Sequence, residues 1–204
     1  MIFGFRIFYR IVTLLITAAI VYFVVTAVQV ETAAHRARSP KRAEHAALIV
    51  VTGTPGMPNM SADYRAKLRV ASSLYRRGLA PVLIIAVPSG VSRKGALSAQ
   101  RTKELESVLK PAEATAVLAT DAGTEFSRVE KWVGRGHRVI VVTDAINALY
   151  MESVATGDGL VPEVVAPPGS KKFVFSQISP LFREASGVAV GRVIGFAHAT
   201  WATK

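Results

Sequence analysis

Apolar positions along this chain fall into one long run and several short ones. The long run, IVTLLITAAIVYFVVTAVQV over residues 11–30, contains no charge, proline or glycine. At about 1.5 Å per residue, a helix of that length spans a bilayer's hydrocarbon core of about 30 Å. The short runs are AALIVVTGT (46–54), VLIIAVPSG (82–90), TAVLATDAG (115–123), RVIVVTD (138–144) and PEVVAPP (162–168). Each is β-branched or aliphatic and then breaks into small or polar residues, the pattern of a parallel strand buried on both faces.

Between these runs the spacing changes to three and four. In SADYRAKLRVASSLYRRG (61–78), Tyr64, Leu68, Ala71 and Tyr75 share one helix face. Ser61 is placed to cap that helix, Asp63 suits its first turn, and Gly78 stands where it should stop. Residues 96–109 read as a helix closed by Pro111. Further helices are expected over Glu125–Val133 and from Ala145 to about Thr156. A last one opens at Ser179-Pro180, with Leu181, Ala185, Val188 and Val193 inward.

Strands alternating with helices at this spacing imply βαβ crossovers. The expected fold is α/β: a three-layer Rossmann-like domain with a mostly parallel sheet, preceded by one transmembrane helix. The expected organisation is an anchor over residues 1–30, a basic linker over 31–45 (ETAAHRARSPKRAEH) and the domain over 46–204. A cleavable signal peptide is the rival for the first segment, but its apolar core would run only about 7–15 residues. Arg6 and Arg10 precede the span, while Glu31, Arg36, Arg38, Lys41 and Arg42 follow it. Charge therefore flanks it on both sides and does not fix its orientation.

The formal net charge is +11, from 25 Lys and Arg against 14 Asp and Glu. On a tethered domain this favours anionic lipid head groups or an anionic envelope polymer as partner. Nucleic acid is not the expected partner, since no aromatic-interleaved basic stretch or recognition-helix pattern is present. The absence of cysteine excludes disulfides, thiol nucleophiles and thiolate metal sites. His35, His45, His137 and His198 show no ligand spacing, so no metal is expected, and no cofactor is identified.

In open α/β sheets ligands bind outside the carboxyl ends of the strands. That rule selects Thr52, Gly53, Thr54 and Gly56 after the first strand and Ser89 and Gly90 after the second. The third strand leads to Asp121, Thr124 and Ser127, and the fourth to Thr143, Asp144 and Asn147. Asp121 and Asp144 could serve as acid or base, although Asp144 also stands where an aspartate caps the following helix. Thr124 and Ser127 share one helix face. The TGTPG turn has neither GxGxxG nor a Walker lysine. No Ser-His-Asp arrangement is legible, because His137 precedes its strand.

With those residues identified, the sequence resembles the DUF218 family, the YdcF/SanA-like envelope proteins. KLRVASSLYRRGLAP (67–81) is similar to that family's R-L-x-x-A-x-x-L-Y-x-x-G-x-x-P helix and turn. AALIVVTGT resembles its opening strand, ATDAG with Thr124 and Ser127 its D-x-A-G-x-x-T-x-x-S region, and LFREASGVAVGRV (181–193) its closing helix. VIVVTDAINALYMES aligns with its fourth strand, but Asn147 stands in place of His and Tyr150 in place of Arg. Lys67 replaces the first helix's Arg, Ser89 and Gly90 are displaced, and Gln100 is the nearest polar residue to the missing Glu.

The resemblance implies a membrane-anchored protein of the cell envelope, with its domain outside the cytoplasm, binding an anionic precursor at Lys67 and the strand ends. Loss of the His removes the group that would titrate near neutrality, so catalysis is doubtful. Two alternatives stand beside it. One is a transferase or phosphate-ester hydrolase using Asp121 and Asp144. The other is a cytoplasmic nucleotide-binding domain at Gly53–Gly56.

Overall fold

The computed structural model describes residues 2–37, 39–52, 62–88, 116–120, 125–170, 185–186 and 188–192. The elements are α1 (Ile2–Arg36), a 3-10 turn (Pro40–Arg42), β1 (Leu48–Val51), α2 (Ala62–Arg76), β2 (Leu83–Pro88) and β3 (Ala116–Thr120). They continue with α3 (Glu125–Val133), β4 (Arg138–Val142), a 3-10 turn (Ala145–Asn147), α4 (Ala148–Gly157) and β5 (Val161–Val165). The five strands form one sheet in the order β3-β2-β1-β4-β5, every neighbouring pair parallel. The α/β class and the parallel sheet are as the alternating pattern requires.

Side-chain alternation divides the core into two layers. Leu48, Val50, Ile84, Ala86, Val139 and Val141 face one side, packed with Phe126 and Val129 of α3 and with Tyr150, Met151 and Val154 of α4. Ile49, Val51, Leu83, Ile85, Ile140 and Val142 face the other, against Leu68, Ala71 and Leu74 of α2. A sheet so apolar on both faces has to be covered on both, which is why its strands read as unbroken hydrophobic runs. Gly78 ends α2 as expected. Its φ of +72° is a left-handed conformation that costs glycine little, and its N–H donates to the Tyr75 carbonyl at 2.8 Å.

α1 contains a stretch, Tyr9–Arg36, long and apolar enough to cross a membrane, with mean hydropathy 2.6 in its most apolar window. From Tyr9 to Tyr22 all of its side chains are exposed except the half-buried Val12. Beyond that the helix is one-sided. Thr26, Val30 and Ala33 are buried, and Phe23 and Ala27 pack against the core, while Val24, Val25 and Val28 stay exposed.

The structure differs here from the expected boundaries. Residues 31–36, read as the start of a linker, are the last turns of α1, because Val30 and Ala33 bury apolar surface against the domain. The next residues are also held. Arg77 donates to the Pro40 carbonyl at 2.5 Å, the Glu44 N–H donates to Glu163 at 3.2 Å, and Arg138 pairs with both Glu44 and Glu163.

The helix expected over 96–109 lies outside the described residues. Of the last expected helix, residues 185–186 and 188–192 are helical, with Ala185 and Val188 buried as expected. Leu181 and Val193 lie outside the described residues. The helix expected from Ala145 starts instead with a 3-10 turn and becomes α-helical at Ala148.

Candidate functional site

The strand order fixes where a ligand could sit. From β1 the chain moves outward through β2 and β3, then crosses back to place β4 on the other side of β1. Connections leave β1 and β4 in opposite directions, so their carboxyl ends form the topological switch point at which α/β sheets bind ligands. Val51 is in register with Val142, which brings Thr52 and Thr143, the next residues, to that point. Both are fully buried. The Thr52 N–H and hydroxyl both donate to the Val142 carbonyl, at 3.2 and 3.4 Å. The Thr143 N–H extends the ladder to Val165 at 3.1 Å, but its hydroxyl has no hydrogen-bond partner among the described residues.

Lys67 reaches this edge from α2. It begins the buried stripe that continues through Leu68, Ala71 and Leu74. α2 runs back against the strands, so its first turns lie at their carboxyl ends and the Lys67 side chain crosses the top of the sheet. Lys67 is 1 % exposed, and its Nζ lies 2.8 Å from Oδ2 of Asp144, which is 24 % exposed. The ammonium also stands 5.6 Å from the centre of the Tyr64 ring, within cation–π range. Asp144 occupies the cap position of the 3-10 turn at Ala145–Asn147, yet makes no side-chain cap hydrogen bond. Its carboxylate is engaged by Lys67 instead, so helix capping does not account for it.

A third charge enters from the opposite layer. Glu125 opens α3 and is 6 % exposed. Burial strips its carboxylate of water and raises the pKa from 4.5 to about 7, while the Lys67 charge acts to lower it. The sequence reading passed over Glu125, although it selected Thr124 and Ser127 on either side. An acidic residue in a first turn is commonplace, and nothing local says that this one is buried. Glu125 stands on a different element from Asn147.

The remaining candidates divide cleanly. Thr52, Lys67, Thr143 and Asp144 come together at the switch point. Asn147 follows on the same edge, half-buried and with no side-chain cap hydrogen bond. Ser127 is half-buried within α3. Gly53, Thr54, Gly56, Ser89, Gly90, Asp121 and Thr124 lie outside the described residues, so the separation of Asp121 from Asp144 does too. Among the described residues no three His, Asp or Glu side chains cluster as a metal ion would require. A cavity of about 220 Å³ lies between the end of α1 (Ala33, Arg36), the first turns of α4 (Ala148, Glu152) and β5 (Val161, Val164), with Arg138 of β4. Thr52, Lys67, Thr143 and Asp144 do not line it.

A carboxyl whose folded pKa is raised favours folding most below its unfolded pKa, where both states are protonated. That contribution is lost as pH rises through the folded value. Stability should therefore fall between about pH 4.5 and pH 7 or above, by roughly 3 kcal/mol for a shift of this size. In Glu125→Gln most of that slope should vanish, and the variant should be the more stable protein at pH 8. Asp158, raised first by burial and then by Glu130, leaves a smaller slope of the same sign. Urea unfolding across pH 4–9 measures both chains.

No family model, curated protein or solved structure matches the chain, so the functional reading rests on the sequence and this geometry.

Proposed function

We propose that this is a membrane-anchored domain of the DUF218 type, serving in the cell envelope, whose crevice between β1 and β4 takes an anionic ligand such as the phosphate group of an envelope precursor. The observation that carries the reading is the Thr143 hydroxyl, buried without a partner among the described residues beside Thr52 and the Lys67–Asp144 pair. A buried hydroxyl left unpaired costs about 1–3 kcal/mol, and an oxygen-rich ligand at the strand ends would relieve it. α2 and α3 both open at this edge, and helix N-termini present partial positive charge and N–H donors. With Glu125 protonated, Lys67 and Asp144 offset each other, so an anion would meet a neutral cluster containing a donor-rich cation.

Titration calorimetry of the full chain in neutral detergent, with pyrophosphate as probe, should show saturable binding. Lys67→Met should weaken it by about tenfold or more, roughly 1.4 kcal/mol. Thr143→Val should also weaken it while raising stability by about 1 kcal/mol, because the orphan hydroxyl is gone. Absence of saturable binding, or equal binding by all three chains, would remove the anion reading.

A second reading is favoured by Glu125 itself. A carboxyl that titrates near pH 7 beside a Lys–Asp pair is suited to donate or accept a proton, as the transferase or phosphate-ester hydrolase alternative with Asp121 and Asp144 would need. Hydrolysis of p-nitrophenyl phosphate should then show a pH-rate limb near 7 that Glu125→Gln abolishes. Equal background turnover by the native and variant chains would leave binding alone.

The proposed side is extracytoplasmic. Ser170→Cys supplies one thiol beyond α1 in a chain that otherwise has none. A membrane-impermeant maleimide should label it in intact cells. Labelling only after permeabilisation would move the domain inside and favour the nucleotide-binding alternative.

A further inference from the structure

α1 is held against the domain along a defined direction. Its earlier contact residues, Phe23 and Ala27, belong to the same core layer as Ile146, and α1 packs on the Ala145–Asn147 turn that directly follows Asp144. That turn lies at the carboxyl ends of the strands. The last residues of α1 lead to the opposite edge: Ala33 and Arg36 line a cavity with Arg138 and Val161 as well as Ala148 and Glu152 of α4, and the chain then enters β1 with the Ala47 N–H on the Arg138 carbonyl. Ala37 is followed within three residues by Pro40, bonded to Arg77 beyond the end of α2. α1 therefore passes down the sheet from its carboxyl edge to its amino edge. Its exposed apolar part, Tyr9–Tyr22, projects from the carboxyl edge, the edge that carries Thr52, Lys67, Thr143 and Asp144.

Length sharpens the point. The twelve uncharged residues from Ile11 to Tyr22 rise about 18 Å, whereas the hydrocarbon core is about 30 Å thick. With Arg6 and Arg10 kept in the head-group layer, the bilayer must reach residues 23–30 of α1, whose inner face is already packed on the domain while Val24, Val25 and Val28 remain exposed on the outer face. No slack is left for a stalk.

We infer that the carboxyl edge of the sheet is a membrane-contacting surface: α1 is a rigid strut that presses the mouth of the crevice against the head-group layer of the bilayer it crosses. A ligand would then enter from the lipid surface, and the crevice is suited to one delivered there. Arg65 and Arg69, exposed on the first turns of α2 at the same edge, would meet anionic head groups. The inference depends on α1 crossing a bilayer. It does not depend on which leaflet faces the domain or on what the crevice binds, so pyrophosphate titration and the experiment below can fail independently.

Because the chain lacks cysteine, single thiols can be placed at Pro168→Cys, exposed just past β5 at the carboxyl edge, and at Thr156→Cys, exposed in the last turn of α4 at the amino edge. Each full-length variant is labelled with NBD and reconstituted in phosphatidylcholine–phosphatidylglycerol vesicles containing a head-group nitroxide lipid. The edges are separated by about the length of a five-residue strand, roughly 17 Å, so the Pro168 label should lose about twice the fraction of its emission lost by the Thr156 label, or more. Equal quenching, stronger quenching at Thr156, or a chain that fails to float with the vesicles would each overturn the inference.

Discussion

A parallel sheet whose central strands are apolar on both faces must be covered on both faces, and the rest of this molecule follows from that requirement. Ile49, Val51, Ile140 and Val142 need one cover, and α2 supplies it. Leu48, Val50, Val139 and Val141 need another, and α3 and α4 supply only part of it. The C-terminal half of α1 adds to the layer through Val30, with Phe23 and Ala27 packed alongside, as do Ala185 and Val188 near the C-terminus. Burial of each such aliphatic side chain contributes about 1.5–3 kcal/mol, so removing this half of α1 would expose core. The helix that is long enough to span a bilayer is also a structural layer of the domain.

The charged cluster at the carboxyl edge is less easily explained by stability. Taking Lys67 out of water is costly even with Asp144 at 2.8 Å, and a buried ion pair is weak evidence of a stabilising role. Glu125 adds a buried carboxyl whose ionisation the fold resists, and Thr143 adds a hydroxyl unpaired among the described residues. Three adverse features at one point of the sheet, coinciding with the topological switch, mark a place where local stability is given up. Such violations of otherwise consistent folding rules concentrate at functional sites.

Much of the architecture was legible because it depends on local periodicity. β1 to β4 fall inside their short apolar runs, β5 starts at Val161, one residue before its run, and α2 stops before Gly78 as its sequence requires. The candidate site was only half legible. Thr52, Thr143 and Asp144 were found by the rule about strand ends, and Lys67 through a resemblance. Glu125 was missed, because a first-turn glutamate carries no local mark of burial. Asp144 could be read as a cap or as a functional carboxylate, and the Lys67 side chain arriving from another element separates the two.

The sequence by itself determined the long apolar helix, the alternating elements and the polar residues that end each strand, since hydrophobic period and turn chemistry act over a few residues. Only the tertiary structure decided that β4 lies beside β1, that Lys67 and Glu125 approach one point from opposite faces of the sheet, and that α1 runs past Asp144 along the domain. Those are contacts between residues far apart in the chain. They are set by which buried surfaces fit together, and no local pattern encodes them.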